Sequence, residues 1–329
     1  MKKTILAVLL VACFVSVALA ADTHSYLATR PDVVPGTPSG TVHQSINVPA
    51  TKAAATIIFG SDYSANTVWW WNTKGKELGS ITSGLSNPQG LDTDAKGNLY
   101  VANTGASTAL IYKKPYNKAP KTLSVSGYYP VGIAQYKNGE YVAVANIFAT
   151  SGSNGSVTIF KNGKQVANVT NSGFFYYYFC AFDKSGNLFV DGRASSGSTV
   201  VGEIPGAAKG KTTLNVLTTG NSIVFPGGIQ VTNSNEIAID DQSGFAIYTY
   251  KQPKGGSLGS PVKTTALSGV SDVVSIALTS NNGDVWGADA GNLNWPEFKY
   301  PAGGSAVTTI TQSGASLPIG VAITPPDKY

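Results

Sequence analysis

An all-β chain, folded as a six-bladed β-propeller of four-stranded antiparallel blades and closed by both termini, is the fold this sequence predicts. Three observations predict it. A phrase of two short strands around a tight turn returns five times at near-constant spacing. Each copy is followed by two further strand-like runs. The two ends of the chain each carry part of one more unit. A period of 42 to 49 residues lies in the range of propellers and solenoids.

The elements follow in chain order. Lys2 and Lys3, the apolar run Ile5 to Leu19 and the small residues around Ala20 form a secretory signal over 1–20. Leu10-Val11-Ala12-Cys13 also has the shape of a lipid-attachment box, so a lipid anchor at Cys13 is the alternative to plain secretion. Residues 21–52, with Pro31, Pro35, Pro38 and Pro49 among scattered Ser and Thr, read as an irregular leader or spacer. A spacer suits a domain held near a cell envelope. The propeller is expected over 53–329. Its first blade begins with AATIIFGSD from Ala54, Thr67 to Trp71 and Leu78 to Thr82, and lacks an innermost strand. The copies PQGLDTDAKGNLYVAN from Pro88, PVGIAQYKNGEYVAVAN from Pro130, YFCAFDKSGNLFVDG from Tyr178, PGGIQVTNSNEIAIDD from Pro226 and VVSIALTSNNGDVWGAD from Val273 open the next five. Their turns carry Gly97, Gly139, Gly186, Asn235 and Gly283; Asn is the residue that best replaces Gly at positive φ. Pro318 to Thr324 is an innermost strand with nothing after it, and completes the first blade. Closure removes the free edges that would invite aggregation.

Composition bounds the function. The chain has 329 residues, of which 42% are hydrophobic and only 12% charged, against about 25% charged in ordinary soluble domains. The formal charge of +5 falls by two when Lys2 and Lys3 leave with the signal. There is no basic run, so the high pI of about 9.0 records few acids and no nucleic-acid partner is expected. No other apolar run spans a bilayer. Cys180 is the one cysteine left after cleavage, which excludes an internal disulfide, and its apolar surroundings make it a buried small hydrophobe.

The Pro-x-Gly-hydrophobic start, the Asp-x-x-Gly-Asn turn and the Leu-Tyr-Val-Ala-Asn strand resemble NHL-repeat propellers and the SMP-30/gluconolactonase/LRE-like superfamily. The resemblance covers about residues 54 to 324. It implies the architecture and leaves lactonases, lyases and binding scaffolds open. Metal-dependent lactonases of the superfamily use an early Glu with later Asn and Asp. Asn146 and Asp241 could fill the Asn and Asp places around Ca²⁺ or another divalent metal. The early strand Thr56 to Gly60 has no Glu, so that ligand set is incomplete. The resemblance to streptogramin-type lyases, whose acid-base residue is histidine, stops at His24 and His43. These are the only histidines, and both precede the propeller. A Ser-His-Asp triad or a His-bound metal inside the ring is thereby excluded.

Asp62, Asn103, Asn146, Asp241 and Asp289 end the second strands, with Asp191 one place earlier in its blade. They read either as an oxygen-ligand ring at the channel mouth or as caps on strand-end amides. Trp69 and Trp71 should face one side of their strand and Trp70 the other. Tyr128, Tyr129, Phe174, Phe175 and Tyr176 are placed to reach the channel mouth, where aromatic rings suit a glycan, a peptide or a partner protein. With no catalytic constellation in view, the expectation is a secreted, periplasmic or extracellular non-enzymatic binder without cofactor. The metal-dependent SMP-30-like hydrolase is the alternative.

Overall fold

A computed structural model describes residues 56–325. The expected signal, Cys13, the leader and both histidines lie outside the described residues. No helix among the described residues is long and apolar enough to cross a membrane.

Six antiparallel sheets form six blades. From the axis outward, blade 1 runs Pro318–Thr324, Ile57–Asp62, Thr67–Asn72 and Glu77–Ile81. Blade 2 runs Pro88–Thr93, Leu99–Asn103, Thr108–Tyr112 and Lys121–Ser124. Blade 3 runs Tyr128–Tyr136, Tyr141–Ala149, Asn154–Lys161 and Lys164–Val169. Blade 4 runs Tyr176–Phe182, Leu188–Arg193, Thr199–Ile204 and Asn215–Thr219. Blade 5 runs Pro226–Val231, Ile237–Asp241, Ala246–Tyr250 and Lys263–Ser268. Blade 6 runs Val273–Leu278, Asp284–Asp289, Asn294–Lys299 and Thr308–Thr311. The inner strands neighbour one another in chain order, and the last packs on the first. Closure is by the two ends of the chain: Ile58 pairs with Ile323 and Gly60 with Val321.

The repeated Pro-x-Gly phrase now has a cause. Gly90, Gly132, Gly228 and Gly320 occupy one position of four inner strands, where neighbouring backbones meet around the axis. A Cβ on Gly90 would stand 2.5 Å from the Val131 carbonyl oxygen, and one on Gly228 2.5 Å from the Ile276 nitrogen. Phe179 and Ser275 take this place in blades 4 and 6. Ser275 Oγ accepts the Val321 N–H at 3.0 Å.

The hairpins between first and second strands are templated by one side chain at the end of the inner strand. Asp94 accepts the N–H groups of Lys96 and Asn98, each at 2.9 Å, and Asp183 does the same for Ser185 and Asn187. Thr232 and Thr279 supply a hydroxyl instead. The left-handed residues are Gly97, Gly139, Gly186 and Asn235, as the repeat predicts. Blade 6 differs. Its loop is one residue longer, and Asn282 at φ 51°, not Gly283, occupies the left-handed position. Asn282 N–H closes on the Thr279 carbonyl at 2.8 Å, as Gly97 does on Asp94.

Apolar clusters fill the layers between blades. Trp70 packs with Phe59, Leu91 and Tyr112 between blades 1 and 2. Trp69 and Trp71 face the other way, with Trp286 and Trp295 between blades 6 and 1. The Trp71 and Trp295 rings lie 4.9 Å apart, against the flat side of Gly60. Two short additions go beyond four strands per blade. Ser257–Gly259 pairs parallel with the outer strand of blade 4, and Gly304–Ser305 with that of blade 5. Each reaches back from the next blade and covers an edge.

Candidate functional site

Register places the strand-end polar residues in two rows. Asp62, Asn103, Asn146, Gly192, Asp241 and Asp289 share one register position, the last of the second strand in blades 1, 2, 5 and 6. Asp191 and Asp240 share the position before it, where the other blades have Ser61, Ala102, Ala145 and Ala288. Successive strand residues point to opposite faces, so the two rows serve different purposes.

The last row caps. Asp62 accepts from Ala65, Ser316 and Leu317 N–H groups. Asp241 accepts from Val224, Phe225 and Gly244. Asp289 accepts from Ser271, Asp272, Gly291 and Asn292. Asn103 Oδ1 takes the Ser86 N–H at 2.6 Å. These buried side chains replace water for amides of the loop that enters their own blade and of the loop after its second strand. Asn146 turns outward, and its Nδ2 donates to Ser156 and Thr158 on the third strand.

The residues present therefore do not fit the metal that the superfamily resemblance implies. The Asp241 carboxylate is occupied by three backbone amides, and Asn146, whose Oδ1 meets no partner, stands without a second free ligand beside it. Ile57–Asp62 offers no Glu. Among the described residues no three His, Cys, Asp or Glu side chains converge to hold a metal ion.

The other row is different. Asp191 and Asp240 are both fully buried. Asp191 Oδ1 accepts the Phe179 N–H at 2.9 Å, while its second oxygen and both oxygens of Asp240 meet no partner in the protein. Burial pushes both carboxyls well above the ordinary carboxylate range, and for Asp240 the charges of Asp241, Asp272, Asp191 and Asp289 push the same way. Burial thus favours the uncharged acid in both. Cys180 is also buried, and desolvation raises its thiol pKa, so it is a packing residue and no nucleophile.

Aromatic rings define the loop face of blades 3 to 5. The second strand of blade 3 continues past Asn146 to Ala149 and lifts Phe148 to the rim. Tyr129 lies 5.1 Å from Phe148, and Phe148 lies 6.3 Å from Tyr176. Tyr176 stacks on Tyr178 at 6.2 Å, Tyr178 on Phe225 at 5.5 Å, and the Arg193 guanidinium covers Phe225 at 4.8 Å. Phe175 meets Tyr176 edge-on at 4.7 Å. The string descends from half-buried Tyr129, Phe148 and Tyr176 to buried Tyr178 and Phe225; Val224, beside its floor, is 60% exposed.

Of the five aromatics expected at the mouth, three share this string: Tyr129, Phe175 and Tyr176. Phe174 does not. It is 1% exposed and stacked on Tyr177 at 4.7 Å in the core between blades 3 and 4. Tyr128 stands apart, its hydroxyl accepting from Asn168 Nδ2 at 3.0 Å. Phe148, Arg193 and Phe225 were missed. The signal for Phe148 was the extra Ile147-Phe148-Ala149 after the Asn146 that ends the repeat; Arg193 is the one arginine of the described residues.

Around the axis, Leu91, Ile133, Phe179, Ile229, Ile276 and Val321 line a cavity of about 20 Å³, room for about one water molecule.

No family model matches the chain, and no curated protein matches it. Solved structures match in fold. A structure of the nidogen/laminin complex superposes with a TM-score of 0.65 at 12% identity, over 82% of this chain and 98% of that one. A protein of unknown function from Bacteroides caccae gives a TM-score of 0.61 at 12% identity, over 82% and 99%. Virginiamycin B lyase from Staphylococcus aureus gives 0.54 at 13% identity, over 78% and 80%. At these identities the likeness is one of fold.

Proposed function

We propose that this chain is a secreted or periplasmic, non-enzymatic propeller that binds an extracellular glycan, peptide or partner protein on the loop face of blades 3 to 5. The observation that carries the reading is the continuous aromatic string from Tyr129 through Phe148 and Tyr176 to Phe225, flanked by Arg193. Such rings hold the planar faces of sugars or apolar side chains once water is excluded. A rim position suits a ligand that lies across the ring, since the axial cavity has room for about one water molecule. Kinship with NHL-repeat and SMP-30-like propellers is part of the proposal, supported by the Pro-x-Gly and Asp-x-x-Gly-Asn phrases and their shared roles in the blades.

Among structures of like fold, one is a nidogen/laminin complex and another is a lyase, so the fold accommodates both partner binding and catalysis. Two features favour binding here. The propeller has no histidine, and the strand-end carboxylates are either bound to amides or fully buried. The deciding experiment screens the chain from Ala21 on a glycan array and in pull-downs, beside a Tyr129→Ala/Tyr176→Ala variant. A ligand held at least tenfold more weakly by the variant supports the reading. Equal affinity overturns the aromatic site, and lactonase or lyase turnover by purified protein overturns the binding class.

A further inference from the structure

Every lysine of the described residues lies on one face of the ring. The topology puts it there. First-to-second hairpins and third-to-fourth connections emerge opposite the aromatic rim, and the lysines occupy those connections or the strand ends beside them. Lys76, Lys118, Lys161, Lys209, Lys254 and Lys299 stand for blades 1 to 6, and all six are exposed. Lysines on this face outnumber its carboxylates nearly two to one. Lys263–Glu236 at 2.6 Å and Lys299–Asp284 at 2.7 Å are ion pairs there. The aromatic face has no lysine; its carboxylates at Asp62, Asp191, Asp240, Asp241 and Asp289 are buried, and Asp272 is half-buried. One face is thus cationic at its surface, and the other carries little charge beyond Arg193 and Asp272.

No part of the chain matches this face. Outside the described residues there are only three acids, Asp22, Asp32 and Asp327, and they form no acidic run. A second copy stacked head to tail would offer the aromatic face, whose acids are inside. The occupant is an external anion. The lysines spread over all six blades and form no stripe or groove, so they suit a plane of charge better than a thread. The exposed large hydrophobics Val224, Phe245 and Leu293 lie in aromatic-side loops, Val166 and Val216 lie on outer strands, and Val262 and Val307 lie in third-to-fourth connections among the lysines. Val262 and Val307 are single residues on different blades, so charge and not an apolar patch is the common feature of this face. Strands of five or six residues set the faces roughly 20 Å apart, more than two Debye lengths of about 8 Å at physiological salt. The aromatic face neither helps nor hinders.

We propose that the lysine face docks the propeller electrostatically on a planar anionic lipid surface, leaving the aromatic rim turned outward to its ligand. Polybasic surfaces bind anionic leaflets in this way, through several lysines acting together. The inference is independent of what the rim binds.

The test is co-sedimentation of the chain from Ala21 with vesicles of phosphatidylglycerol and phosphatidylcholine in equal parts, and with phosphatidylcholine alone. Binding to the anionic vesicles only is expected, falling at least tenfold when salt is raised from about 50 to about 300 mM. A Lys114→Ser/Lys118→Ser/Lys209→Ser/Lys211→Ser variant should bind at least tenfold more weakly. A Ser126→Glu/Ser151→Glu/Ser196→Glu/Ser222→Glu variant changes net charge equally on the other face and should bind like the parent. Equal loss in both variants, salt-independent binding, binding to neutral vesicles, or binding of soluble dextran sulfate without vesicle binding would each overturn the proposal. Should the lysine variant not fold, the salt series on the parent and the aromatic-face variant still decide.

Discussion

The two faces of the ring use the same residue types for opposite ends. On the aromatic face, Asp is structural. Asp62, Asp241 and Asp289 sit at strand ends with their oxygens filled by loop amides, so the charge is consumed inside and the surface is left to Ser, Gly, Asn and aromatic rings. On the lysine face, the first-to-second hairpins are held by Asp94, Asp183, Thr232 or Thr279, and the exposed positions around them carry ammonium groups. The difference teaches that net charge describes this protein poorly. A modest excess of cations is one strongly cationic face behind a nearly uncharged one. It also predicts an asymmetry of tolerance between charges: the capping aspartates of the aromatic face are buried, while the lysines opposite are exposed or half-buried.

The largest effect should come from breaking the ring that keeps the faces apart. Deleting Pro318–Tyr329 removes the inner strand of blade 1 and exposes Ile57–Asp62 as an edge. Loss of the cooperative thermal transition, with aggregation, is expected by calorimetry and light scattering; an unchanged melting curve would refute closure by both termini.

Next is a direct contrast of one residue from each face. Asp289→Ala strands several part-buried loop amides at once, and an unpaired group costs about 1–3 kcal/mol where water cannot replace the partner. A loss of about 3 kcal/mol or more in urea unfolding is expected. Lys118→Ala touches only solvent-exposed surface and should stay within about 0.5 kcal/mol. Similar losses for the two would break the comparison.

The smallest effect sharpens it within the aromatic face itself. Asp191 and Asp240 have folded pKa values raised above the unfolded value near 3.8. The folded state therefore keeps protons that the unfolded state releases. Their contribution is fully present below the unfolded pKa and is lost as pH rises toward the folded pKa, by at most about 1.4 kcal/mol per unit per group. An Asp191→Asn/Asp240→Asn variant should match the parent near pH 4 and exceed it at pH 7, flattening the profile of melting temperature against pH. The slope left over belongs to groups such as Asp92, which burial raises to about 7. Parallel profiles for variant and parent would show that the pair is ionised when folded.

The repeat determined much of this by itself. Five copies of a two-strand phrase, with a divided unit at the ends, specify six blades, because a lone blade cannot bury both its faces and must stack in a closed ring. The alternation of Trp69, Trp70 and Trp71 between two inter-blade cores also follows from the strand period alone. The capping role of the strand-end Asp and Asn was one of two readings that the sequence left open; register and amide partners decided it. Asp240 and Asp241 are neighbours of identical type, yet one is capped and the other buried without a partner, since consecutive side chains leave a strand on opposite sides. Phe174 and Phe175, in the loop before Tyr176, also divide between core and rim, a division that only the tertiary structure sets. The aromatic string joins Phe148, Tyr176 and Phe225 from three blades, a proximity that no local window contains. The lysines form no run in the chain and become one surface only because the antiparallel blades return every hairpin and every third-to-fourth connection to the same side.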